Sequence, residues 1–246
     1  MSKSKIHWYK YAAPVNFYPL AGKMIPFFTG LTIILLAIGL YMSFFVAPVD
    51  FQQGHSYRII FIHVPAAWMG MFLYVLMAIY AGIGWAFNAR LASMMATAIA
   101  PTGAIFTFIS LVTGSLWGKP AWGVFWVWDA RMTSTLILMF LYIGFISLQA
   151  AIDDPRRADR AGAVLALVGV INIPIIYFSV QWWNTLHQGA TIRILQKPTI
   201  RGSMLAALLI MLAACWLYSV AVVLIRLRCI ILEREQNASR FAEVGV

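Results

Sequence analysis

Four tryptophans and two glycines crowd one short stretch of this chain, Trp117 to Asp129, which reads WGKPAWGVFWVWD. The residues concerned are Trp117, Gly118, Trp122, Gly123, Trp126 and Trp128. Tryptophan needs an apolar neighbour for its rings and a partner for its indole N–H, and glycine allows a close approach to the backbone or a positive φ. An aromatic belt at a membrane surface is the alternative, but a belt scatters one or two aromatic residues per helix end. The pattern therefore favours a ledge for a planar, apolar ligand.

Two of the four histidines lie on either side of this stretch in the sequence. His63 is in FIHVPAAW, at the start of an apolar run, and His187 is in WWNTLHQG, at the end of another. The alternative for His63 is an interfacial histidine bonded to a neighbouring carbonyl, although ionisable groups at membrane depth are costly and point first to function. Neutral imidazole is an axial ligand of haem iron, and a planar macrocycle packs against aromatic faces. Together these residues indicate a haem site with His63 and His187 as ligands of the iron.

Charged residues near the same predicted membrane face complete the candidate site. Arg58 and Arg131 are candidate contacts for the two haem propionates, because guanidinium groups pair well with carboxylates. Asp129 directly precedes an apolar run, where a carboxylate can cap the free N–H groups of a helix. Whether Asp129 caps that helix or contacts the ligand stays open from the sequence.

The composition requires these residues to be carried by membrane-spanning helices. The chain has 246 residues, of which 62% are hydrophobic and 11% charged, and its mean hydropathy is +0.83. A spanning helix needs about 20 mostly apolar residues, and backbone groups in hydrocarbon must pair within the segment. We therefore predict an all-α, polytopic membrane protein that forms one domain over residues 1–246. Its six predicted spans are 24–46, 59–87, 91–116, 132–152, 161–180 and 204–227.

The basic residues predict how these spans are oriented. A net charge of +10 would suggest a nucleic-acid partner in a soluble protein, but here the bases sort by topology and no nucleic acid is expected. The larger group comprises Lys3, Lys5, Lys10, Lys23, Arg90, Arg156, Arg157, Arg160, Arg226, Arg228, Arg234 and Arg240. The smaller group, on the other side, comprises Arg58, Lys119, Arg131, Arg193, Lys197 and Arg201. The positive-inside rule then places both termini and the tail 228–246 in the cytoplasm. The tryptophan-rich loop 117–129, between the third and fourth spans, faces outward.

Three other readings are weighed against a haem site at the outer face. A membrane cytochrome b would bury its haem between histidines in the middle of the spans, where this sequence has none. A carrier that moves haem across the bilayer would have broken helices and polar groups near the midplane, and only Pro101 and Pro174 hint at these. A structural partner of an ABC transporter would leave the histidines and the tryptophans unexplained.

Two absences in the sequence limit the chemistry further. There is no CxxCH motif, so haem is not attached to this chain through thioethers. There is no phosphate-binding glycine loop of the Walker type, so any ATP hydrolysis is carried out by another chain. We therefore predict that the chain holds and transfers haem and is not an enzyme.

The three motifs together resemble those of a known family. WGKPAWGVFWVWD is similar to the WWD signature of haem-handling membrane proteins, and FIHVPAAW and WWNTLHQG resemble the corresponding segments of the CcmC family of cytochrome c maturation proteins. The resemblance covers nearly the whole chain except the charged tail. The WWD signature is shared with the larger CcmF proteins and the CcsA-type synthetases, but six spans and a short chain favour CcmC.

This resemblance implies a specific role. Proteins of the CcmC family hold haem b at the periplasmic face of the bacterial inner membrane, with two histidines as axial ligands and the WWD segment against the ring. They present haem to the chaperone CcmE, which becomes covalently attached to it, and they assemble with CcmD and the ABC transporter subunits CcmA and CcmB. The implied ligands here are His63 and His187. The implied platform is Trp117, Gly118, Trp122, Gly123, Trp126, Trp128 and Asp129.

Overall fold

The computed structural model describes residues 8–187, 200 and 202–244, with backbone alone at 8–9 and 236–244. Some residues used in the sequence analysis lie outside this part of the chain. They are Lys3, Lys5, Arg193, Lys197 and Arg201, the last two residues of the WWNTLHQG motif, and residues 245–246 of the tail.

Seven α-helices make up almost all of the described chain. They are α1 (Pro14–Tyr41), α2 (Ile60–Phe87), α3 (Arg90–Trp122), α4 (Ala130–Ala151), α5 (Pro155–Gly169), α6 (Asn172–Trp182) and α7 (Gly202–Val244). A short 3-10 helix, Trp8–Ala12, precedes α1, a π-helical turn, Met42–Val46, follows it, and another 3-10 helix, His55–Ile59, leads into α2.

Six of the described helical segments are long and apolar enough to cross a membrane. They are Pro14–Val46, His55–Phe87, Arg90–Trp122, Ala130–Ala151, Pro155–Trp182 and Gly202–Glu235. The fifth combines α5 and α6, and the others each contain one long helix. The prediction of an all-α protein with six spanning helices is confirmed.

Two helix boundaries correct the sequence analysis. Helix α1 begins at Pro14 rather than at residue 24, with proline in the first turn, where its missing N–H costs nothing. Helix α3 continues to Trp122, so the prediction of a loop starting at Trp117 is wrong for its first six residues, and the loop spans only residues 123–129. An apolar run marks where a chain leaves the hydrocarbon, whereas a helix continues until a residue ends it. Here that residue is Gly123, which has φ 81° and donates its N–H to the carbonyl of Lys119 at 3.0 Å.

The fifth span is broken into two helices near its middle. Pro174 lacks the N–H that would bond to the carbonyl of residue 170, and its ring crowds that carbonyl; α5 ends at Gly169 and α6 begins at Asn172. The Asn172 side chain donates to the backbone carbonyl of Ser134 at 2.8 Å. The break is thereby fixed against α4.

Small residues let the central helices pack closely. Tyr142 on α4 donates its hydroxyl to the carbonyl of Gly70 on α2 at 2.8 Å. A Cβ on Gly103 of α3 would overlap the Tyr142 ring, and one on Gly70 would lie 2.7 Å from the hydroxyl of Thr107. Close approach of backbones through glycine is typical of helices packed in membranes. Helices α2, α3 and α4 thus form the centre of the bundle, while α1 packs on α7 at its edge.

Ion pairs connect three helices at the end of the bundle that includes the α2–α3 turn. Arg234 on α7 donates two hydrogen bonds to Asp159 on α5, at 2.8 and 2.9 Å. The next residue, Glu235, pairs with Arg90 at the start of α3 at 2.9 Å. Loop 123–129 and the start of α2 lie at the opposite end, and the candidate site is there.

Candidate functional site

His63 lies in the first turn of α2 and is held by a hydroxyl on α3. Its Nδ1 is 3.1 Å from the Oγ1 of Thr113, and Thr113 donates its own proton to the carbonyl of Ile109 at 2.6 Å. Since a hydroxyl has one proton to donate, Thr113 accepts from the Nδ1–H of His63. This assigns the neutral tautomer in which Nε2 carries the free lone pair that a metal ligand needs.

Close packing fixes the ring of His63 on its other sides. A Cβ on Gly114 would lie 2.9 Å from Cε1 of His63, so only glycine leaves room for the imidazole there. The ring of Trp117 meets it edge to face, with centroids 5.7 Å apart. Trp117 in turn donates its indole N–H to Oε1 of Gln53 at 2.7 Å. The loop between α1 and α2, which contains Gln53, therefore orients the tryptophan that packs on the histidine.

His187 follows the end of α6 and is held by Asp129. Its Nδ1 is 2.8 Å from Oδ2 of Asp129, while Oδ1 of the same carboxylate accepts from the backbone N–H of Met132 at 2.8 Å. Of the two roles that the sequence left open for Asp129, the cap of α4 is confirmed. Its other oxygen contacts His187, and a contact with the ligand stays a prediction. Because an ionised carboxylate only accepts hydrogen bonds, His187 also donates from Nδ1 and keeps Nε2 free. The Trp122 ring packs edge to face on it, with centroids 4.8 Å apart.

The environment of His187 favours its neutral form. Burial lowers the pKa of His187 below its ordinary value; the Asp129 carboxylate opposes this shift, and the Arg131 cation adds to it. An imidazole must be unprotonated to bind a metal. The lowered pKa therefore keeps His187 in the form that can ligate iron at neutral pH.

Both histidines line the same pocket among α2, α3, α4 and α6. The pocket is partly open, so the empty space of about 520 Å³ within its outline includes solvent outside the protein. Its walls are largely apolar, and Arg131 contributes its cation. The lining residues besides Arg131 and the two histidines include Ala67, Met71, Leu111, Met132, Leu138 and Ile176.

The two arginines predicted from the sequence differ in what they contact. Arg131 lines the pocket and makes no side-chain hydrogen bond or ion pair with any residue that the structure describes. Arg58 lies outside the pocket lining and donates to the backbone carbonyls of Ser43 and Ala47, at 2.5 and 3.0 Å. Those carbonyls end the first span, where helix geometry leaves acceptors unpaired. Arg58 therefore caps the first span in the described structure.

None of the predicted platform residues is part of the pocket lining. Trp126 and Trp128 in loop 123–129 pack edge to face at 5.4 Å. Trp128 is 75% exposed, whereas the indole Nε1 of Trp126 is buried without a hydrogen-bond partner in the described part of the chain. Gly118 is a buried helical residue whose Cβ would meet the carbonyl of Val124 at 3.0 Å. Gly118 thus lets the loop fold back on α3, and Gly123 ends that helix.

The sequence analysis missed three residues that hold the predicted ones. Thr113, Gly114 and Gln53 have no unusual spacing, and only their contacts with His63 and Trp117 reveal them. The one available signal was the helical period, since Ser110, Thr113, Gly114 and Trp117 are spaced so as to share a face of α3.

The two histidines suit an iron that is already coordinated by a porphyrin. No group of three or more His, Cys, Asp or Glu side chains that could hold a bare metal ion occurs in the described residues. Haem iron needs only one or two ligands from the protein. Two imidazoles with free Nε2 atoms, an unpaired arginine and apolar walls fit haem.

Comparisons with known proteins point to one family. Residues 7–242 match the CcmC family, described as heme exporter protein C. The chain is 46% identical to heme exporter protein C of Escherichia coli K12, over 95% of this chain and 94% of that protein. It is 49% identical to the protein of the same name from Bradyrhizobium diazoefficiens, over 95% and 89%, and 44% identical to that of Haemophilus influenzae, over 92% of each.

Proposed function

This chain belongs to the CcmC family of heme exporter proteins, and we propose that it holds haem b at the outer face of the bacterial inner membrane and presents it to the haem chaperone CcmE. It acts as a platform in cytochrome c maturation and not as an enzyme. Haem is its cargo: it is taken up, held through the iron and handed on.

One observation carries this proposal: two imidazoles from distant parts of the sequence line one pocket, and both present Nε2 as the free nitrogen. Each Nδ1–H is taken up by an acceptor within hydrogen-bonding distance, Thr113 for His63 and Asp129 for His187. Partners of this kind fix the tautomer and the orientation of metal-ligating histidines. His63 and His187 are thus prepared to ligate one iron on its two axial sides.

Arg131 is the proposed contact for a haem propionate. Its guanidinium lines the pocket and makes no hydrogen bond or ion pair with a side chain among the described residues, although the Asp129 carboxylate attracts it from a greater distance. A propionate would supply an anion in direct contact with it. Arg58 stays a weaker candidate for the second propionate, because two of its five N–H donors are used on Ser43 and Ala47, which hold the side chain outside the pocket lining.

The tryptophans have two roles in this proposal. Trp117 and Trp122 pack on the edges of the imidazoles and hold them in place. Trp126 and Trp128 lie outside the pocket lining, and the exposed face of Trp128 is available to the porphyrin or to the arriving chaperone. The unpartnered indole N–H of Trp126 offers a donor for a polar group of either.

The family and the charge pattern support a proposed orientation and a proposed set of partners. Both termini and the tail 228–246 lie in the cytoplasm, and loop 123–129 faces the periplasm. The partners are CcmE, CcmD and the transporter subunits CcmA and CcmB, and ATP hydrolysis takes place in the transporter.

The test is the optical spectrum of the full chain, purified in mild detergent and supplied with haem b. Wild type is compared with His63→Ala, His187→Ala and the matched control His55→Ala, since His55 is exposed and outside the pocket lining. We expect a six-coordinate low-spin spectrum in wild type and His55→Ala, and altered coordination in the other two. Wild-type spectra in both His63→Ala and His187→Ala would refute the site.

A transfer assay tests the second half of the proposal. Wild type loaded with haem b should pass it to purified CcmE, and His187→Ala should do so more slowly because one axial ligand is lost. Transfer by His187→Ala at the wild-type rate would contradict the role of His187 in presentation.

A further inference from the structure

The two candidate iron ligands are held by chemically different acceptors. The carboxylate of Asp129 accepts from His187 at 2.8 Å, and the hydroxyl of Thr113 accepts from His63 at 3.1 Å. The Asp129 side chain is only 6% exposed, so its negative charge is little screened. Hydrogen bonds to ionised groups are roughly twice as strong as those between neutral groups. His187 therefore makes a stronger hydrogen bond through Nδ1–H than His63 does.

The acceptor at Nδ1 also affects the basicity of Nε2, the free nitrogen of each ring. A carboxylate that accepts from Nδ1–H draws the proton away from the imidazole, gives the ring partial imidazolate character and raises the basicity of Nε2. A neutral hydroxyl has a much smaller effect. His187 is consequently the stronger electron donor to a metal, and His63 is an ordinary neutral imidazole.

The Asp129 carboxylate is itself held in place, so its position relative to Nδ1 of His187 is fixed. Its second oxygen accepts from the backbone N–H of Met132 and ties the carboxylate to the first turn of α4. In the described structure the Thr113 hydroxyl otherwise lies near two carbonyls of its own helix, Ile109 at 2.6 Å and Ser110 at 3.3 Å, and its single proton goes to the nearer carbonyl. Within the part of the chain that the structure describes, His63 has no hydrogen bond or ion pair with a carboxylate, and its Nδ1 lies against the Thr113 hydroxyl.

We propose that the two axial bonds are unequal, and that His63 is released first when haem is handed on while His187 keeps hold of the iron. This inference rests on the proposed function. The Fe–Nε2 bond to His63 breaks, its electron pair returns to Nε2, and the incoming ligand donates a pair to the vacated position. The oxidation state of the iron does not change. Thr113 and Asp129 are positioning residues that act through the histidines.

Carbon monoxide binding to the reduced, haem b-loaded full chain tests the order of release. Carbon monoxide binds only after an axial ligand has left, so at saturating gas the binding rate equals the dissociation rate of the more labile histidine. We expect Thr113→Val, which keeps the shape and removes the acceptor, to bind about tenfold faster. Thr113→Ser keeps the hydroxyl and should restore the wild-type rate.

Asp129→Asn is the matched variant on the other side. Asparagine keeps only one of the two oxygens, which can still cap α4, so His187 loses both the negative charge and the acceptor opposite its Nδ1–H. We expect its carbon monoxide binding rate to stay near the wild-type value, because His187 is not the ligand that leaves. The reduction potential of the iron should rise, because a less electron-rich His187 stabilises the oxidised iron less. Thr113→Val should change the potential less than Asp129→Asn does.

The opposite pattern would overturn the inference. Faster binding in Asp129→Asn with no change in Thr113→Val would mean that His187 leaves first, and equal acceleration in both would mean equivalent ligands. If Thr113→Val fails to hold haem, the iron–nitrogen stretching vibration of the five-coordinate species formed by photolysis decides instead. Its frequency should shift in Asp129→Asn if His187 is retained, and an unshifted frequency would overturn the inference. Either failure leaves the spectra of His63→Ala and His187→Ala, and thus the proposed function, untouched.

Discussion

Asp129 uses its two carboxylate oxygens on two different groups. One oxygen accepts from the backbone N–H of Met132 and caps α4, and the other accepts from His187. The cap alone would stabilise α4 by about 1 kcal/mol, so it is an adequate reason for an aspartate at this position. The bond to His187 adds a role that a capping residue does not need, and it makes the orientation of a proposed iron ligand depend on the start of a helix.

Arg131 leads to a prediction at the scale of one side chain. We expect Arg131→Gln to weaken the binding of haem b by about tenfold or more, since a hydrogen bond to a charged group contributes about 1.5–3 kcal/mol. The dissociation constant is measured by titration of the full chain in detergent. Haem dimethyl ester, which lacks the propionate charge, is titrated in parallel.

The ester separates a propionate contact from a general loss of structure. Arg131→Gln should bind the ester about as well as wild type does. If the variant lost affinity for haem and for the ester equally, Arg131 would act on the pocket and not on a propionate. Arg58→Gln is the comparison, and it should discriminate between the two compounds less than Arg131→Gln does, because Arg58 already donates to Ser43 and Ala47.

The end of α3 shows how one residue sets the shape of a loop. Gly123 has φ 81°, and a Cβ there would meet no heavy atom within 4 Å. The site therefore needs glycine for its backbone conformation and not for space. By ending α3 at that point, Gly123 turns the chain so that Asp129 starts α4 beside His187.

The positive φ of Gly123 predicts the order in which substitutions at this position lower stability. Alanine in a left-handed conformation costs roughly 1–2 kcal/mol, whereas asparagine tolerates that region better. We expect Gly123→Ala to lower the thermal unfolding midpoint of the full chain, and Gly123→Asn to lower it less. Amide hydrogen exchange in loop 123–129 should increase in the same order. Equal effects of the two substitutions would indicate that the left-handed backbone is not what matters here.

At the scale of the whole molecule, charge and packing agree on which segments share an end of the bundle. The pairs Arg234–Asp159 and Arg90–Glu235 bring α3, α5 and α7 together where the sequence places the larger group of basic residues. Loop 123–129 and His187 lie at the other end. The positive-inside rule then predicts that the first end faces the cytoplasm.

Cysteine labelling in intact cells tests this orientation. In a background with Cys215→Ala and Cys229→Ser, we expect Phe125→Cys to react with a membrane-impermeant maleimide and Arg156→Cys to react only after permeabilisation. Both positions are exposed in the structure. The reverse pattern would invert the topology and move the haem site to the cytoplasmic face.

The bulk of the fold was predictable because the bilayer imposes simple rules. A run of apolar residues long enough to cross the hydrocarbon must be a helix, so the six spans could be predicted from hydropathy alone. Exact helix ends could not, because a helix stops at a residue with a suitable backbone conformation. Gly123 ends α3 well after the apolar run has finished, and Pro174 divides the fifth span where hydropathy is continuous.

The sequence by itself determined the six spanning helices, the family, and the residue types able to bind haem, since these depend on composition and on motifs that are continuous in the chain. Only the tertiary structure decided which Nδ1 meets which acceptor, and that Arg131 and not Arg58 lines the pocket with the histidines. The physical reason is that hydrogen bonds act over about 3 Å, whereas Thr113 is 50 positions from His63 and Asp129 is 58 from His187. Which residues come that close depends on how the helices pack, and local sequence does not specify the packing.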